Sequence, residues 1–254
     1  MVDPQTSRLE LILMRHNESY DNRARVIQGQ RDPLPVDGNQ DKLYETARRL
    51  LEEPTPIDAV YTSDLKRAKD HARLIADFLR ARYSELHPGH TVDYFENELL
   101  RERARGPLEG ARYQVTDTGL TIVLEEGKSI ALPNCQLTQT IVYHQFRTMD
   151  DFLYSLDDPN LGEDRVAIAE RIVAFRDRYL RPYERQGGKL LIMGHSHWIT
   201  HARNLLVGGD VASQPFQPLG NLDAIRLVKE GAQRHYRELD GSYAMPQGSP
   251  TGTR

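Results

Sequence analysis

Short apolar runs alternate along this chain with longer stretches whose apolar residues recur at helical spacing, and this alternation limits the possible folds. Residues 9–14, 58–62 and 189–193 have the length and composition of buried strands. Residues 39–53 carry an apolar stripe typical of a helix that packs on a core. Strands that alternate with helices form parallel or mixed sheets. We therefore expect an α/β fold, a three-layer α/β/α sandwich with a mostly parallel central sheet.

The other segments complete one predicted domain over residues 1–240. Further helices are predicted directly after Ser63 and Asp64, which can cap the first of them, over residues 162–185, and from residue 196 to about residue 207. Residues 92–95 and 224–229 are predicted as an edge strand and a last strand. Residues 111–161 fit neither pattern and are expected to be an insertion over the end of the sheet where ligands bind, whereas residues 241–254 are expected to be a disordered tail.

Charge and cysteine content exclude several classes of protein. The chain has 33 basic and 37 acidic residues, a formal net charge of −4, so it has no overall basic field for nucleic acid or an anionic membrane. Its single cysteine, Cys135, excludes a disulfide within this sequence and a thiolate metal cage. Residues 1–10 do not read as a secretory signal, and no apolar run approaches about 18 residues. We expect a cytoplasmic protein with a small-molecule partner, and a homodimer is left open.

Basic side chains follow three of the predicted strands. Arg15 and His16 follow the first strand, Arg67 follows the second, and His195 follows the third. Because ligands of open α/β sheets bind beyond the carboxyl ends of the strands, we expect these four side chains to converge. Guanidinium groups bind phosphate oxygens, and a neutral imidazole can attack phosphorus. The sequence therefore predicts a phosphate pocket.

A phosphoryl transfer from an ester also needs an acid that protonates the leaving oxygen. The candidates are Glu98, Glu102 and Glu109, and Glu102 is preferred because it lies four residues ahead of Gly106. Burial and the charge of a bound phosphate would raise the pKa of such a carboxyl. Taken alone, Glu102 would be interpreted as a surface ion-pair partner.

Ordinary interpretations also exist for the other residues when each is considered alone. His16 would be a packed or surface histidine, and Arg67 would belong to a solvated helix face. His197 and His201 lie one helical turn apart, as metal ligands can, but no third ligand stands at a suitable spacing. We therefore expect neither a metal nor another cofactor.

The order of the motifs carries a specific resemblance. The matching segments, in chain order, are residues 13–18 with Asn22, residues 26–30 and 32–34, residues 62–68, residues 100–102 with Gly106 and residues 109–110, residues 162–164 with Arg171, residues 193–195, and residues 220–221. Together they resemble the histidine phosphatase superfamily, the phosphoglycerate mutase-like group with the Arg-His-Gly motif. The loop at Gln28, Gly29 and Gln30 is most similar to that of fructose-2,6-bisphosphatase-like phosphatases.

The resemblance implies a role for each matching residue. His16 would be the phosphohistidine nucleophile and Glu102 the proton donor, while Arg15, Arg67 and His195 would hold the phosphoryl group. The side chains expected to contact phosphate or the rest of the substrate are Asn17, Asn22, Gln28, Gly29 and Ser196.

Two of these residues depart from the family pattern, because glycine usually follows each catalytic histidine. Here the positions are Asn17 and Ser196. Glycine permits a positive φ, and asparagine tolerates it better than most residues, so Asn17 is expected to preserve a left-handed backbone. Ser196 is small and can donate a hydrogen bond to a ligand.

The function expected from this resemblance is a phosphomonoesterase that hydrolyses a small phosphorylated metabolite, such as a sugar phosphate, through phosphohistidine. A cofactor-dependent phosphoglycerate-type mutase is the first alternative, since an insertion could exclude water from the site. The mutase group's Gly-Trp loop is absent, however, and residues 28–30 stand in its place. A catalytically weak phospho-ligand-binding protein is the second alternative, and Asn17 and Ser196 motivate it.

Overall fold

A six-stranded sheet forms the centre of the fold. The computed structural model describes residues 7–116, 119–123, 129–133, 162–209 and 219–239. The strands are β1 Arg8–Arg15, β2 Ala59–Thr62, β3 Asp93–Glu96, β4 Arg112–Thr116, β5 Gly119–Val123, β6 Ser129–Pro133, β7 Gly188–Gly194, β8 Ala224–Glu230 and β9 Arg237–Glu238. The central sheet has the order β3-β2-β7-β1-β8-β9. Its first four members are parallel, and β8 runs antiparallel to both β1 and β9.

Helices cover both faces of this sheet. They are α1 Tyr20–Arg23, α2 Gln40–Leu51, α3 Lys66–Leu86, α4 Arg165–Phe175, α5 Arg181–Gln186 and α6 Ser196–Leu206, and a π-helical turn, Arg176–Leu180, joins α4 to α5. Apolar side chains of α2 and α3 pack in the core on one face of the sheet, and those of α4 and α6 pack in the core on the other face. The three-layer α/β/α architecture with a mostly parallel sheet is confirmed.

β1 shows why its sequence is apolar without interruption. Leu11 and Leu13 lie in the core shared with α4 and α6, whereas Ile12 and Met14 lie in the core shared with α2 and α3. All four side chains are buried. Successive residues of a strand point to opposite faces, so a strand covered on both sides needs apolar residues at nearly every position.

The predicted cap of α3 is wrong. The helix begins at Lys66 after Leu65, and neither Ser63 nor Asp64 occupies the capping position. Asp32, distant in sequence, accepts a hydrogen bond from the Lys66 N–H at 2.6 Å, while Ser63 Oγ accepts one from the Leu65 N–H at 3.3 Å. Tertiary contact therefore satisfies the helix start, because Asp64 is bound by an arginine from another segment.

The predicted insertion contains regular structure. β4, β5 and β6 form a separate antiparallel sheet. It begins next to the segment ahead of Gln28, since the Ile27 N–H donates to the Ala111 carbonyl and the Gly110 N–H donates to the Ile27 carbonyl, both at 2.9 Å. Period-two patterning in such short strands is a weak signal, which is why the sequence did not reveal them. Residues 134–161, with Cys135, and the predicted tail at 241–254 lie outside the described residues.

Helices in the described part of the chain do not combine the length and apolar character needed to span a membrane.

A buried cluster of four charges lies near the amino ends of β1 and β7. Lys189 Nζ lies 2.7 Å from Glu53 and 3.6 Å from Glu10, and Arg226 contacts both carboxylates. The Lys189 side chain is 1% exposed. Two cations balance two anions, so removal of one member leaves a buried charge uncompensated.

We predict that Lys189→Met lowers the free energy of unfolding by about 3 kcal/mol, because Glu10 and Glu53 then lose one of two buried cations. Urea titration monitored by circular dichroism measures the change. The matched control is Arg8→Met, which removes an exposed pair with Glu230 and is expected to cost less than about 1 kcal/mol. Equal losses in the two variants would show that burial does not control the stability of these pairs.

Candidate active site

Backbone hydrogen bonds at the carboxyl ends of β1 and β7 bring two predicted residues together. The His16 N–H donates to the carbonyl of Gly194 at 3.0 Å, so His16 lies beside His195. Their ring centroids are 5.1 Å apart with an interplanar angle of 63°. Both rings are buried. The strand ends therefore place two imidazoles edge to face in one pocket.

The His16 ring is held in one tautomer. Its Nδ1 lies 2.5 Å from the backbone carbonyl of Asn17. A carbonyl only accepts, so Nδ1 carries the proton and Nε2 keeps a lone pair. Burial lowers the pKa of His16 well below its usual value, and nearby His195, Arg67 and Arg15 lower it further. The ring is therefore neutral at pH 7 and presents Nε2 as a nucleophile.

His195 lacks the partners that a buried ring normally has. Among the described residues, neither ring nitrogen finds a hydrogen-bond partner. Burial lowers the pKa of His195 well below its usual value, and Arg67 adds to this effect. Buried polar groups without partners cost stability, so such a ring is suited to a bound polar ligand.

Arg67 enters the pocket from the first turn of α3. Its Nη2 donates to the carbonyl of Gly29 at 2.7 Å and its Nη1 donates to the carbonyl of Arg31, whereas Nε has no partner among the described residues. Burial lowers the pKa of this guanidinium to about 10, so Arg67 remains a cation at neutral pH. Gly29 has a φ of +51°, and a Cβ there would collide with Glu109. The loop thus requires glycine and is held by Arg67.

Arg15 is positioned by the loop that precedes β8. Its Nη1 donates to the carbonyl of Leu219. The Leu219 N–H donates to Ser196 Oγ at 3.1 Å. Ser196, predicted as a ligand contact, therefore orients Arg15 through Leu219.

Asn17 does not have the left-handed backbone that was expected. Among the described residues other than glycine, only Arg25 and Leu222 have a positive φ. The Asn17 side chain donates to the Asn39 carbonyl at 3.1 Å and so connects β1 to the start of α2. The expectation was wrong because this backbone path never enters the region that favours glycine.

The two remaining predicted substrate contacts differ in what they can offer a ligand. Asn22 Oδ1 accepts from both the backbone N–H and the hydroxyl of Ser19 in a capping box, so only the Asn22 amide N–H groups can serve a ligand. Gln28 Oε1 is buried and has no partner among the described residues.

Glu102 is largely buried and is not a surface ion-pair residue. Its Oε1 accepts from the Arg103 N–H at 2.8 Å, and its Oε2 lies 3.4 Å from both the backbone nitrogen and Nδ1 of His197. Burial raises the pKa of this carboxyl, but His197, His195 and the Arg103 N–H outweigh that effect and hold the pKa well below its usual value. The expectation of a raised pKa is therefore wrong for the ligand-free site, where Glu102 is ionised.

An ion pair missed as part of the site positions the segment that carries Glu102. Arg171 forms a bidentate pair with Glu163 at 2.6 and 2.7 Å and donates to the carbonyls of Leu99 at 2.9 Å and Arg101 at 3.0 Å. The Glu163 and Arg171 motif was visible in the sequence as a resemblance, but its purpose was not.

No set of three or more His, Cys, Asp or Glu side chains within the described residues is arranged to hold a metal ion. His197, one of the two histidines considered as ligands, instead faces Glu102 through Nδ1.

Comparison with known proteins identifies relatives of several activities. Residues 11–120 match the histidine phosphatase superfamily (branch 1). A 2,3-bisphosphoglycerate-dependent phosphoglycerate mutase of Parvibaculum lavamentivorans is 25% identical over 80% of this chain and 81% of that protein. A metal-independent phosphoserine phosphatase of Arabidopsis thaliana is 47% identical over 26% of this chain and 28% of that protein.

Solved structures share the fold at low sequence identity. A phosphoglycerate mutase from Bacillus anthracis superposes with a TM-score of 0.64 at 18% identity and covers 93% of each chain. A mycobacterial glucosyl-3-phosphoglycerate phosphatase gives a TM-score of 0.59 at 18% identity, covering 91% of this chain and 97% of that one. The chain thus has the fold of phosphoglycerate mutase-like proteins, and its homologues are members of the histidine phosphatase superfamily.

Proposed function

We propose that this chain is a phosphomonoesterase that hydrolyses a small phosphorylated metabolite through a phosphohistidine at His16. One observation carries the proposal: His16 and His195 are buried 5.1 Å apart, and the nitrogens of His195 have no partner among the described residues. Arg15 and Arg67 lie close enough to lower the pKa of His16. A phosphoryl dianion would satisfy these donors and cations together.

The first half of the reaction follows from the tautomer of His16. Nε2 attacks phosphorus and forms the N–P bond while the ester O–P bond breaks, and Nδ1–H stays on the Asn17 carbonyl. Arg15, Arg67 and His195 bind the phosphoryl oxygens, on which negative charge is spread in the transition state. Glu102 gives its proton to the leaving alkoxide.

The second half regenerates the protein. Water attacks the phosphorus of phosphohistidine, Glu102 accepts the proton that water loses, and the N–P bond breaks to return the lone pair to Nε2. Glu102 must be protonated again before the next ester is cleaved. A bound phosphate dianion next to the carboxyl raises its pKa, which counters the lowering by His197 and His195 in the empty site.

The relatives suggest where to look for the substrate. Their names refer to phosphoserine, phosphoglycerate and glucosyl-3-phosphoglycerate, which are all small phosphate esters. We propose a sugar phosphate or a similar ester, and the likeness of residues 28–30 to fructose-2,6-bisphosphatase-like phosphatases stays a prediction. A panel of these four esters, scored by release of inorganic phosphate, ranks the candidates.

A phosphoglycerate-type mutase is the second candidate, because the Parvibaculum relative aligns over 80% of this chain. Incubation with 3-phosphoglycerate and catalytic 2,3-bisphosphoglycerate separates the two activities. A phosphatase releases inorganic phosphate, a mutase forms 2-phosphoglycerate, and a binding protein forms neither.

His16→Ala is expected to retain less than about one hundredth of the wild-type turnover, because a lost nucleophile costs several kcal/mol of barrier. Rapid quenching with a ³²P-labelled substrate should label wild-type His16 through an acid-labile, base-stable bond. The matched control is His87→Ala at the far end of α3, which should keep both labelling and turnover. Labelling that persists in His16→Ala would contradict the assignment.

Glu102→Gln should slow the hydrolysis of alkyl phosphates by about 100-fold or more, and that of p-nitrophenyl phosphate by less than about tenfold. The reason is that nitrophenolate leaves without a proton. Glu109→Gln is the control, since Glu109 Oε1 accepts from the backbone N–H groups of Gln30 and Arg105 and should affect both substrates equally. Equal losses in Glu102→Gln would assign Glu102 to phosphate positioning.

Turnover should be unchanged by a chelator, because Arg15 and Arg67 already neutralise charge on the transferring group. Phosphate release is measured before and after incubation with EDTA. Loss of activity that a divalent cation restores would contradict this expectation and direct attention to His197 and His201.

A further inference from the structure

A contact between Arg105 and His197 lies directly behind Glu102 and has no role in the reaction as described so far. Arg105 Nη2 is 2.6 Å from His197 Nε2. Arg105 is buried, and the side chain of His197 is 13% exposed. The two groups therefore meet where little water can mediate between them.

The donor and acceptor roles in this contact are fixed by chemistry. A guanidinium has five N–H donors and no acceptor, so Nε2 of His197 must accept. The single ring proton then sits on Nδ1, which lies 3.4 Å from Glu102 Oε2. A doubly protonated ring would turn an N–H toward the guanidinium and place two cations in contact. The contact with Arg105 is therefore compatible only with a neutral His197.

We propose that Arg105 is a positioning residue that keeps His197 in the neutral Nδ1–H tautomer and so reserves the transferable proton for the Glu102 carboxyl. This inference rests on the proposed function. If His197 could take that proton, imidazolium and carboxylate would form an ion pair. Glu102 would then stay ionised and could not protonate a leaving oxygen. With Arg105 in place, Glu102 is the member of the pair that gains the proton.

Other groups face Glu102 and would act in every variant alike. His195 and Arg67 stabilise its ionised form, and the Arg103 N–H donates to its Oε1. Arg171 binds the backbone of the segment through carbonyls. A change seen on replacing Arg105 therefore reports the His197 contact.

The backbone of Arg105 is anchored independently of its side chain. The Arg105 N–H donates to Glu109 Oε1 at 2.8 Å, and the same oxygen accepts from the Gln30 N–H at 2.9 Å. Arg105→Met keeps this anchor and a similar side-chain length but loses the charge and the donors. Arg105→Lys is the conservative variant, because an ammonium also donates and never accepts.

The first test is the pH profile of kcat with an alkyl phosphate, whose basic limb follows deprotonation of Glu102 in the substrate complex. Arg105→Met should move that limb to lower pH by about one unit, with KM changed less than about twofold, because a charged His197 then lowers the pKa of Glu102. Arg105→Lys should restore the limb in part. His197→Leu should move it to higher pH, and the double variant should match His197→Leu alone.

The direction of the shift separates the alternatives. If Arg105 acted only as a positive charge near Glu102, its removal would move the limb to higher pH, which would overturn the proposal. A purely structural role would leave the limb in place, with a loss of stability in urea titration, and would overturn it as well.

A second measurement does not depend on phosphatase activity. In ¹⁵N-histidine NMR at mildly acidic pH, wild-type His197 should show the neutral Nδ1–H pattern, and Arg105→Met should show a doubly protonated ring. The signal is assigned by its loss in His197→Leu. The same ring state in wild type and Arg105→Met would refute the inference. The expected NMR result in a protein without phosphatase activity would refute the proposed function instead.

Discussion

The parallel pairing of β1 with β7 runs from Leu9 opposite Gly188 to Arg15 opposite Gly194, and both strands are covered on both faces. Burial on both faces fixes the register, because a slip of one residue would move side chains between the two cores. One further hydrogen bond, from the His16 N–H to the Gly194 carbonyl, extends the pairing past the sheet. The geometry of the two histidines follows from this one interface.

The two ends of this pair of strands treat buried polar groups in opposite ways. At the amino end, Lys189 and Arg226 are matched by two carboxylates in a balanced cluster. At the carboxyl end, His195 is buried without hydrogen-bond partners among the described residues. A matched cluster supports the fold, whereas unsatisfied groups lower its stability and favour a ligand that supplies their partners. The molecule is thus suited to bind at one end only.

The acid segment depends on side chains more than on secondary structure. Glu102 lies between two single 3₁₀ turns, Glu98–Leu100 and Gly106–Leu108. Arg171 and Glu163 hold its backbone from the neighbouring α4 layer. Because the carboxyl is near His197 and His195 as well as buried, its pKa is set by opposing effects. Such a group responds strongly to a change in neighbouring charge, which is what a bound phosphate would bring.

The sequence alone determined the layers of the fold and the neighbourhood of the site. Continuous apolar runs indicate strands buried on both faces, and residues that follow parallel strands meet at one edge, so Arg15, His16 and His195 could be placed together. Tertiary structure decided what each group does there. The His16 tautomer depends on the position of the Asn17 carbonyl, and the α3 cap depends on a distant aspartate.

The same division explains the wrong expectations. Asn17 was expected to replace glycine in a left-handed backbone, but φ is a property of the path that the packed chain takes. Glu102 was expected to have a raised pKa, but its net charge depends on histidines from α6, a different element. Sequence spacing fixes which residues share a strand end, whereas hydrogen-bond partners and pKa values depend on distances between segments far apart in the chain, which only the folded structure sets.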